Sequence, residues 1–218
     1  GSGGGNSGVI YAFNEETNTI IQHNSAETEG LFILDTSVEL DNNEYKFVAL
    51  AFNNNNKELQ AFYYDISKET DVMSFSYVVS LGTFNNINIE AKHSATAIKK
   101  DWLAVSLGSD GIAVFNIRTD SSENKTAFLV QQIKEEILDS NEPDDVVNSF
   151  VFESGVFYVA AGGAGFYLIE YDYQRNKLKT DFSHVDFGEG DSVNGVAISG
   201  EDLVIASISI YKASGMKI

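Results

Sequence analysis

A short apolar segment recurs four times along this chain of 218 residues, and the recurrence limits the fold more than any other feature. Each copy begins with a large residue, continues with a branched or large residue, and ends with small residues. The copies start at Phe47, Trp102, Phe157 and Leu203, so they are 55, 55 and 46 residues apart. A repeat of this length is typical of proteins that are built from small, similar units.

The sequence around these anchors repeats as well. A short strand is predicted about five residues before each of the last three anchors, at 95–98, 149–152 and 195–198. An aromatic strand follows each anchor, and a more polar fourth strand closes the unit, for example at 126–131 and 177–182. Four strands in roughly 50 residues is the unit of a β-propeller blade.

The rest of the chain also favours strands. Short runs of β-branched and aromatic residues alternate with clusters of Asn, Asp and Gly, which supply the turns. The best helix candidate, 131–140, would have only about two turns. We therefore predict an all-β protein, a β-propeller of four-stranded blades with about four blades visible. A β-sandwich and a part of a larger propeller are the alternatives.

The predicted domain organisation is simple. Residues 1–8 (GSGGGNSG) form a flexible Gly/Ser tether or a cloning remnant. Residues 9–218 form one propeller domain, in which 9–22 resemble half a blade. The repeats that follow cover about 30–84, 93–135, 146–187 and 192–218. Propellers often complete one blade from both termini, which removes exposed sheet edges.

Composition excludes several functional classes. Hydrophobic residues make up 43% of the chain, which is enough for a sizeable core. The 14 Lys and Arg against 32 Asp and Glu give a net charge of -18 without any basic cluster, so we expect no binding of nucleic acid or of an anionic membrane surface. The absence of Cys excludes disulfides and thiolate metal sites. No apolar run is long enough to predict a transmembrane segment.

A family resemblance appears in the C-terminal units. Residues 193–207 (VNGVAISGEDLVIAS) and 147–169 resemble the LVIVD-type repeat of bacterial propellers in the WD40/YVTN-like superfamily, and 94–117 resemble it more weakly. The resemblance implies an exported bacterial protein of the periplasm or cell surface and implies no catalytic residues. The segment 1–8 is similar to the tether of mature lipoproteins, which would add a lipid anchor at the N-terminus.

Two acidic loops stand directly before predicted first strands. They contain Asp139, Glu142, Asp144 and Asp145 in one case and Asp186, Glu189 and Asp191 in the other. In a propeller both loops would lie on the same face, near the mouth of the channel. Solvated loops are the favoured interpretation, and weak Ca²⁺ binding or attraction of a cationic ligand are the alternatives. The three His residues lack the spacing of a metal site, and we predict no cofactor.

The same face is where we predict a ligand. The candidate residues there are His93, Asn148, Asn194, Asp145 and Asp191. The expected function is a non-enzymatic scaffold that binds an unidentified protein or glycan through its loops. The alternative is a propeller hydrolase or lyase that uses carboxylates at the channel mouth.

Two further sequence patterns are better explained by a structural role than by ligand binding. The glycine-rich segment 160–165 (AAGGAG) is followed by a strand pattern, whereas a phosphate-binding turn would lead into a helix. It is therefore predicted to be a hairpin turn. The tyrosines, which could stack on sugars, are predicted instead to pack between blades. They are Tyr63, Tyr64, Tyr167, Tyr171 and Tyr173.

Overall fold

The computed structural model describes residues 7–14, 19–27, 32–41, 44–67, 73–87, 95–139, 142, 144–188, 191–199 and 202–209. Within these ranges the chain contains seventeen strands and no helix, which confirms the predicted all-β class. The described part therefore has no helix long and apolar enough to cross a membrane. The chain divides into two compact units. The first comprises Gly1–Phe84, Ile98–Asp101 and Ile117–Ala127, and the second comprises Asn85–Ala97, Trp102–Asn116 and Phe128–Ile218.

The first unit contains a two-stranded and a four-stranded antiparallel sheet. Strands β1 (Ser7–Asn14) and β2 (Thr19–Glu27) form the smaller one. The larger one has the order β3-β4-β5-β6. Its strands are β3 (Phe32–Asp41), β4 (Glu44–Asn53), β5 (Glu58–Ser67) and β6 (Met73–Thr83). Because side chains alternate between the two faces of a strand, Leu59, Ala61 and Tyr63 of β5 lie on one face, and all three are buried.

The next sheet has the order β10-β9-β8-β7. Its strands are β7 (Thr96–Lys99), β8 (Trp102–Ser106), β9 (Ile112–Thr119) and β10 (Lys125–Ile133). All five residues of β8 are buried, whereas most residues of the edge strand β10 are exposed or half-buried. This difference in burial explains why the inner strands have apolar sequences and the outer strand has a polar one.

The predicted helix at 131–140 is wrong. Strand β10 continues through Ile133, and one turn follows in which Ile137 N and Leu138 N donate to Lys134 O at 3.0 and 2.8 Å. Ile133, Ile137 and Leu138 are at most 5% exposed. The strand end and this turn already bury the apolar residues whose spacing suggested a helix.

The third large sheet has the order β11-β12-β13-β14, and β15 also pairs with β13. The strands are β11 (Ser149–Glu153), β12 (Val156–Ala160), β13 (Phe166–Asp172), β14 (Lys177–Leu178) and β15 (Ser183–Val185). Of the predicted fourth strand at 177–182, only β14 is a strand, and β15 begins just after the predicted range. Between them Phe182 packs edge-on against Tyr167, with 5.3 Å between ring centroids, which takes it out of the regular ladder.

Strands β16 (Asp191–Ser199) and β17 (Asp202–Ser209) form a final two-stranded antiparallel sheet. The described chain therefore contains three large sheets with four-stranded paths and a two-stranded sheet towards each end. This is the predicted arrangement of propeller blades, so the fold class is confirmed. The single domain over 9–218 and its repeat boundaries stay predictions.

The dipeptide Val-Asn occurs at 147–148 and again at 193–194, and both copies join consecutive sheets of the second unit in the same way. Val147 N donates to Gly108 O at 3.1 Å, and Val193 N donates to Gly162 O at 2.9 Å. Each glycine lies in the hairpin of the preceding sheet, and both contacts are antiparallel bridges. The segment 160–165 is therefore a hairpin turn, as predicted, and it also holds the next sheet.

Strand pairing corrects the alignment of the anchors by one residue. Trp102 pairs with Asn116, and the equivalent pair in the next sheet is Val156 with Glu170. Trp102 therefore corresponds to Val156 and not to Phe157. Because a shift of one residue inverts the face of a strand, Trp102 and Phe157 lie on opposite faces of their own sheets. Their rings meet at 5.9 Å between the two sheets.

Most of the tyrosines pack inside the units, as predicted. Tyr63, Tyr64, Tyr167 and Tyr171 are between 4% and 7% exposed. Tyr173 differs, because it is 58% exposed and contacts the edge of Tyr171. The four buried rings are core residues.

Candidate functional site

A cleft of about 550 Å³ lies among the loops of the second unit. Four segments line it, namely the turn after β10, the loop before β11, the β12–β13 hairpin and the region of β15. Five of the eleven lining residues are acidic, and none of these described residues is Lys or Arg. The acidic residues are Glu135, Glu136, Asp139, Asp145 and Asp186. The cleft is therefore a concave surface of negative charge.

The turn after β10 is anchored by its apolar residues. Ile137 and Leu138 are buried in the main hydrophobic cluster of the unit. Glu135 and Glu136 stand on the outside of the same turn and are exposed. Lys134 N donates to a carboxylate oxygen of Glu136 at 3.1 Å, which stabilises the turn. The two Glu carboxylates are thus held at the rim by the burial of their neighbours.

Backbone hydrogen bonds position the loop before β11. Asp139 N donates to Asp145 Oδ2 at 3.0 Å, and Asp145 N donates to Glu142 O at 3.1 Å. Gly163 N donates to Asp144 O at 2.9 Å, which docks the β12–β13 hairpin on this loop. These hydrogen bonds fix the turn after β10, the loop before β11 and the β12–β13 hairpin relative to one another.

An aromatic pair forms the remaining wall. Tyr167 of β13 and His184 of β15 are cross-strand partners. Their rings stack with centroids 4.3 Å apart and planes inclined by 11°. The Nε2 atom of His184 lies 2.7 Å from Ala164 O. Because a carbonyl oxygen can only accept, Nε2 carries the hydrogen of this contact.

The Tyr167 hydroxyl is held in its neutral form. Burial raises the pKa of Tyr167, and the charges of Asp145 and Asp186 raise it further. Both carboxylates line the same cleft. The phenol therefore stays protonated across the physiological pH range and can donate a hydrogen bond.

The predicted ligand-binding residues have different environments. Asp145 lines the cleft. Asn148 is 8% exposed, and its Nδ2 donates to Val193 O at 3.0 Å and to Asn194 Oδ1 at 3.2 Å. Asp191 lies in β16 outside the cleft lining, and its N donates to Gly188 O. His93 lies outside the described residues.

The two acidic loops do contribute to one site. Asp139 and Asp145 from the first loop and Asp186 from the second line the same cleft. Within the described ranges, no group of three or more His, Asp or Glu side chains is arranged to hold a metal ion. The sequence reasoning did not identify Tyr167 and His184 as site residues, although both line the cleft.

Replacement of Asn148 should reveal a structural role. Asn148→Ala removes two hydrogen bonds of a buried amide, and we expect a loss of about 1–3 kcal/mol in the free energy of unfolding. Thermal denaturation followed by circular dichroism measures it. Asn124→Ala is the matched control, because Asn124 is exposed in the turn between β9 and β10 and should cost about 0.5 kcal/mol. Equal losses in the two variants would contradict the role of the Asn148 amide as a buried link.

Comparison with known structures supports the fold. The periplasmic gluconolactonase PpgL of Pseudomonas aeruginosa matches with a TM-score of 0.56 and 15% identity, over 88% of this chain and 55% of that one. Sqt1 of Saccharomyces cerevisiae matches with a TM-score of 0.38 and 11% identity, over 92% of this chain and 63% of that one, which is too weak to carry an argument. The chain thus spans less than two thirds of either structure.

Comparison of sequences identifies no family. No protein-family model matches the chain, and no curated protein sequence matches it. The resemblance to LVIVD-type repeats therefore has no support beyond the propeller-like fold. At 15% identity, the similarity to PpgL shows the fold alone. The chain has a β-propeller type of fold, with four-stranded antiparallel sheets as its blades.

Proposed function

We propose that this protein is a non-enzymatic propeller that binds a ligand in the cleft beside Tyr167 and His184. The observation that carries the proposal is a concave site of about 550 Å³, within the usual size of small-molecule sites. Its walls are joined by main-chain hydrogen bonds, including the one from Gly163 N to Asp144 O. Such a site needs little reorganisation on binding, which favours affinity.

The proposed location is the bacterial periplasm or cell surface. The fold similarity to a protein described as periplasmic supports this location. The segment 1–8 (GSGGGNSG) has the composition of a flexible tether, and we propose a lipid anchor adjoining it. A loop cleft held away from the membrane by such a tether would be accessible to soluble glycans, peptides or small molecules.

A cleft-blocking variant tests the binding proposal. Ala164 lines the cleft and is half-buried, so Ala164→Trp should fill part of the space. Thermal shift with a panel of neutral glycans, carboxylates, amines and Ca²⁺ measures binding, since a ligand of the folded state raises its melting temperature. We expect at least one compound to stabilise the wild type and not Ala164→Trp.

The control is Thr126→Trp, which adds the same side chain at an exposed position of β10. It should respond to the compound as the wild type does. If Ala164→Trp fails to fold by circular dichroism, Ala164→Leu replaces it as a smaller obstruction. A panel that stabilises nothing, or that stabilises the blocked variant equally, contradicts a binding function of the cleft.

A second candidate is a hydrolase or lyase. The observation that favours it is that Asp139, Asp145 and Asp186 share one cleft with His184, since acid–base catalysis needs titratable groups close to the substrate. The solved structure of similar fold is described as a gluconolactonase. Hydrolysis of glucono-δ-lactone and related lactones, lost in Asp145→Asn and retained in Asp181→Asn, would establish this alternative. No hydrolysis above the rate in buffer would exclude lactones as substrates.

A further inference from the structure

One face of the sheet β3-β4-β5-β6 carries two adjacent rows of apolar residues that cross all four strands. In the first row Val38 pairs with Phe47, Phe47 pairs with Tyr64, and Tyr64 pairs with Phe75. The second row contains, in the same order of strands, Leu40, Tyr45, Ile66 and Met73. Because residues two apart in a strand lie on the same face, these eight positions form one continuous surface, which we call the apolar face.

The apolar face is exposed where it reaches the two edge strands of the sheet. On β3, Val38 and Leu40 are 59% and 52% exposed, and on β6 Phe75 is 57% exposed. Between these edges the ring centroids of Phe47 and Tyr64 are 5.9 Å apart, and those of Tyr64 and Phe75 are 5.7 Å apart. The aromatic contacts therefore connect the exposed residues of one edge to those of the other.

The opposite face of the same strand segments is polar, and the chain itself provides partners for its carboxylates. The row that lies between the two apolar rows contains Glu39, Lys46, Asp65 and Ser74. The Glu39 side chain is 8% exposed, lies 3.4 Å from Lys99 Nζ, and accepts a hydrogen bond from Lys100 N at 2.6 Å. Asp65 accepts a hydrogen bond from the Ser76 hydroxyl. An antiparallel sheet usually covers its apolar face and exposes its polar one, and here the arrangement is reversed. Such an exposed apolar patch is typical of an interaction surface.

The size and the chemistry of the apolar face fit a second copy of this chain. The exposed fractions of its side chains correspond to about 500 Å² of accessible surface, so two copies would bury about 1,000 Å² together, near the lower limit for a specific interface. Its two rows contain no Asp, Glu, Lys or Arg, so two identical faces can meet without burying a charge. Two sheets that pack face to face bring such side chains together at a separation of about 10 Å.

We propose that this chain forms a homodimer in which the apolar faces of two copies pack against each other. Each copy carries a net charge of -18, so two copies repel each other, and salt screens this repulsion. Association through the apolar face should therefore strengthen as salt is added. Association with a basic partner protein would instead weaken.

Sedimentation velocity of the whole chain over a range of concentrations, in low and in high salt, tests the proposal. We expect the wild type to change from monomer to dimer as its concentration rises, and to do so at a lower concentration in high salt. Val38→Lys places a charge in the contact, and we expect association that is weaker by about tenfold or more. Phe75→Thr removes a ring but retains a residue that favours strands, and it should weaken association about tenfold.

Leu129→Lys is the matched control, because it replaces an exposed aliphatic residue of β10 by the same charged residue outside this sheet. Weaker association of Val38→Lys and Phe75→Thr, with Leu129→Lys like the wild type, supports the proposed dimer. A wild type that stays monomeric at every concentration in both salts overturns it. Dimers that persist in both apolar-face variants would use a different surface, and dimers that dissociate when salt is added would depend on charge, so either result also overturns the proposal. Circular dichroism checks the folding of each variant, and one folded apolar-face variant is enough to decide.

Discussion

Replacing Trp102 by Ala should destabilise the second unit more than any other single truncation proposed here. Trp102 is 5% exposed and contacts Phe152, Phe157 and Tyr171, with ring centroids 5.0, 5.9 and 4.9 Å away. Truncation of a buried Trp leaves a large cavity and costs about 3–5 kcal/mol. For a chain of this size the melting temperature should fall by roughly 6–20 °C. Thermal denaturation followed by far-ultraviolet circular dichroism measures the effect.

Two further variants test whether the loss of aromatic contacts causes the destabilisation of Trp102→Ala. Trp102→Phe retains a ring and should lose about half as much stability, because part of the contact with the opposite sheet remains. Leu129→Ala removes an aliphatic side chain that is 54% exposed on β10, and it should change the free energy of unfolding by less than about 0.5 kcal/mol. A Trp102→Ala variant as stable as Leu129→Ala would show that the aromatic cluster does not hold the two sheets together.

Gly162→Ala should also cause a large loss of stability. The backbone angle φ of Gly162 is +59°, and the Cβ atom of an alanine at this position would lie 2.2 Å from Asp144 O. The left-handed conformation costs a non-glycine residue about 1–2 kcal/mol, and the overlap with backbone adds about 1–3 kcal/mol. The substitution would also disturb the two hydrogen bonds between Gly162 and Val193. We expect a loss of about 3 kcal/mol, measured by urea denaturation.

Gly188→Ala separates the two contributions. Gly188 also has a positive φ, +105, but a Cβ there would have no atom within 4 Å. This variant should show the conformational cost alone, about 1–2 kcal/mol. Equal losses at the two positions would mean that the loop at Asp144 moves aside without cost. A larger loss for Gly162→Ala would show that the hairpin and the loop before β11 are closely fitted.

The inner strands were predictable because their extensive burial requires a run of apolar residues. Strands β8 and β12 were recognised as apolar runs near Trp102 and Phe157, and both are strands in the structure. Their alignment was wrong by one residue. Trp102 was aligned with Phe157 because both side chains are large, but in the strand pairing Trp102 occupies the position equivalent to Val156. Similarity of side chains therefore located the strands, whereas only hydrogen bonding could set their register.

The outer strands were less predictable. At 131–140 the apolar spacing favoured a helix, yet the same side chains are buried by the end of β10 and one turn. At 177–182 a single strand was predicted, and the structure has β14 and β15 on either side of Phe182. An edge strand has half the backbone partners of an inner one, so local packing of one aromatic residue can interrupt it.

The candidate site was predicted in part. Asp145 was predicted as a site residue because it lies in an acidic loop, and it does line the cleft. Asn148 and Asn194 were both predicted on the ligand-binding face, and the structure shows that their side chains bond to each other. A repeated polar pair in consecutive sheets thus signals a structural link as readily as a binding face. Asp191 and His93 keep their predicted role as hypotheses.

The sequence by itself determined the class of fold, because an approximate repeat of four short strands is encoded locally in residue size, branching and turn residues. It also determined that the protein carries a large excess of negative charge. Only the tertiary structure showed which acidic side chains lie together in one cleft. Tyr167 and His184 are 17 residues apart in the chain and lie 4.3 Å apart as stacked rings, because β15 returns to pair with β13. Such a contact depends on the register of two strands and on the interruption at Phe182, and neither is encoded in any single segment.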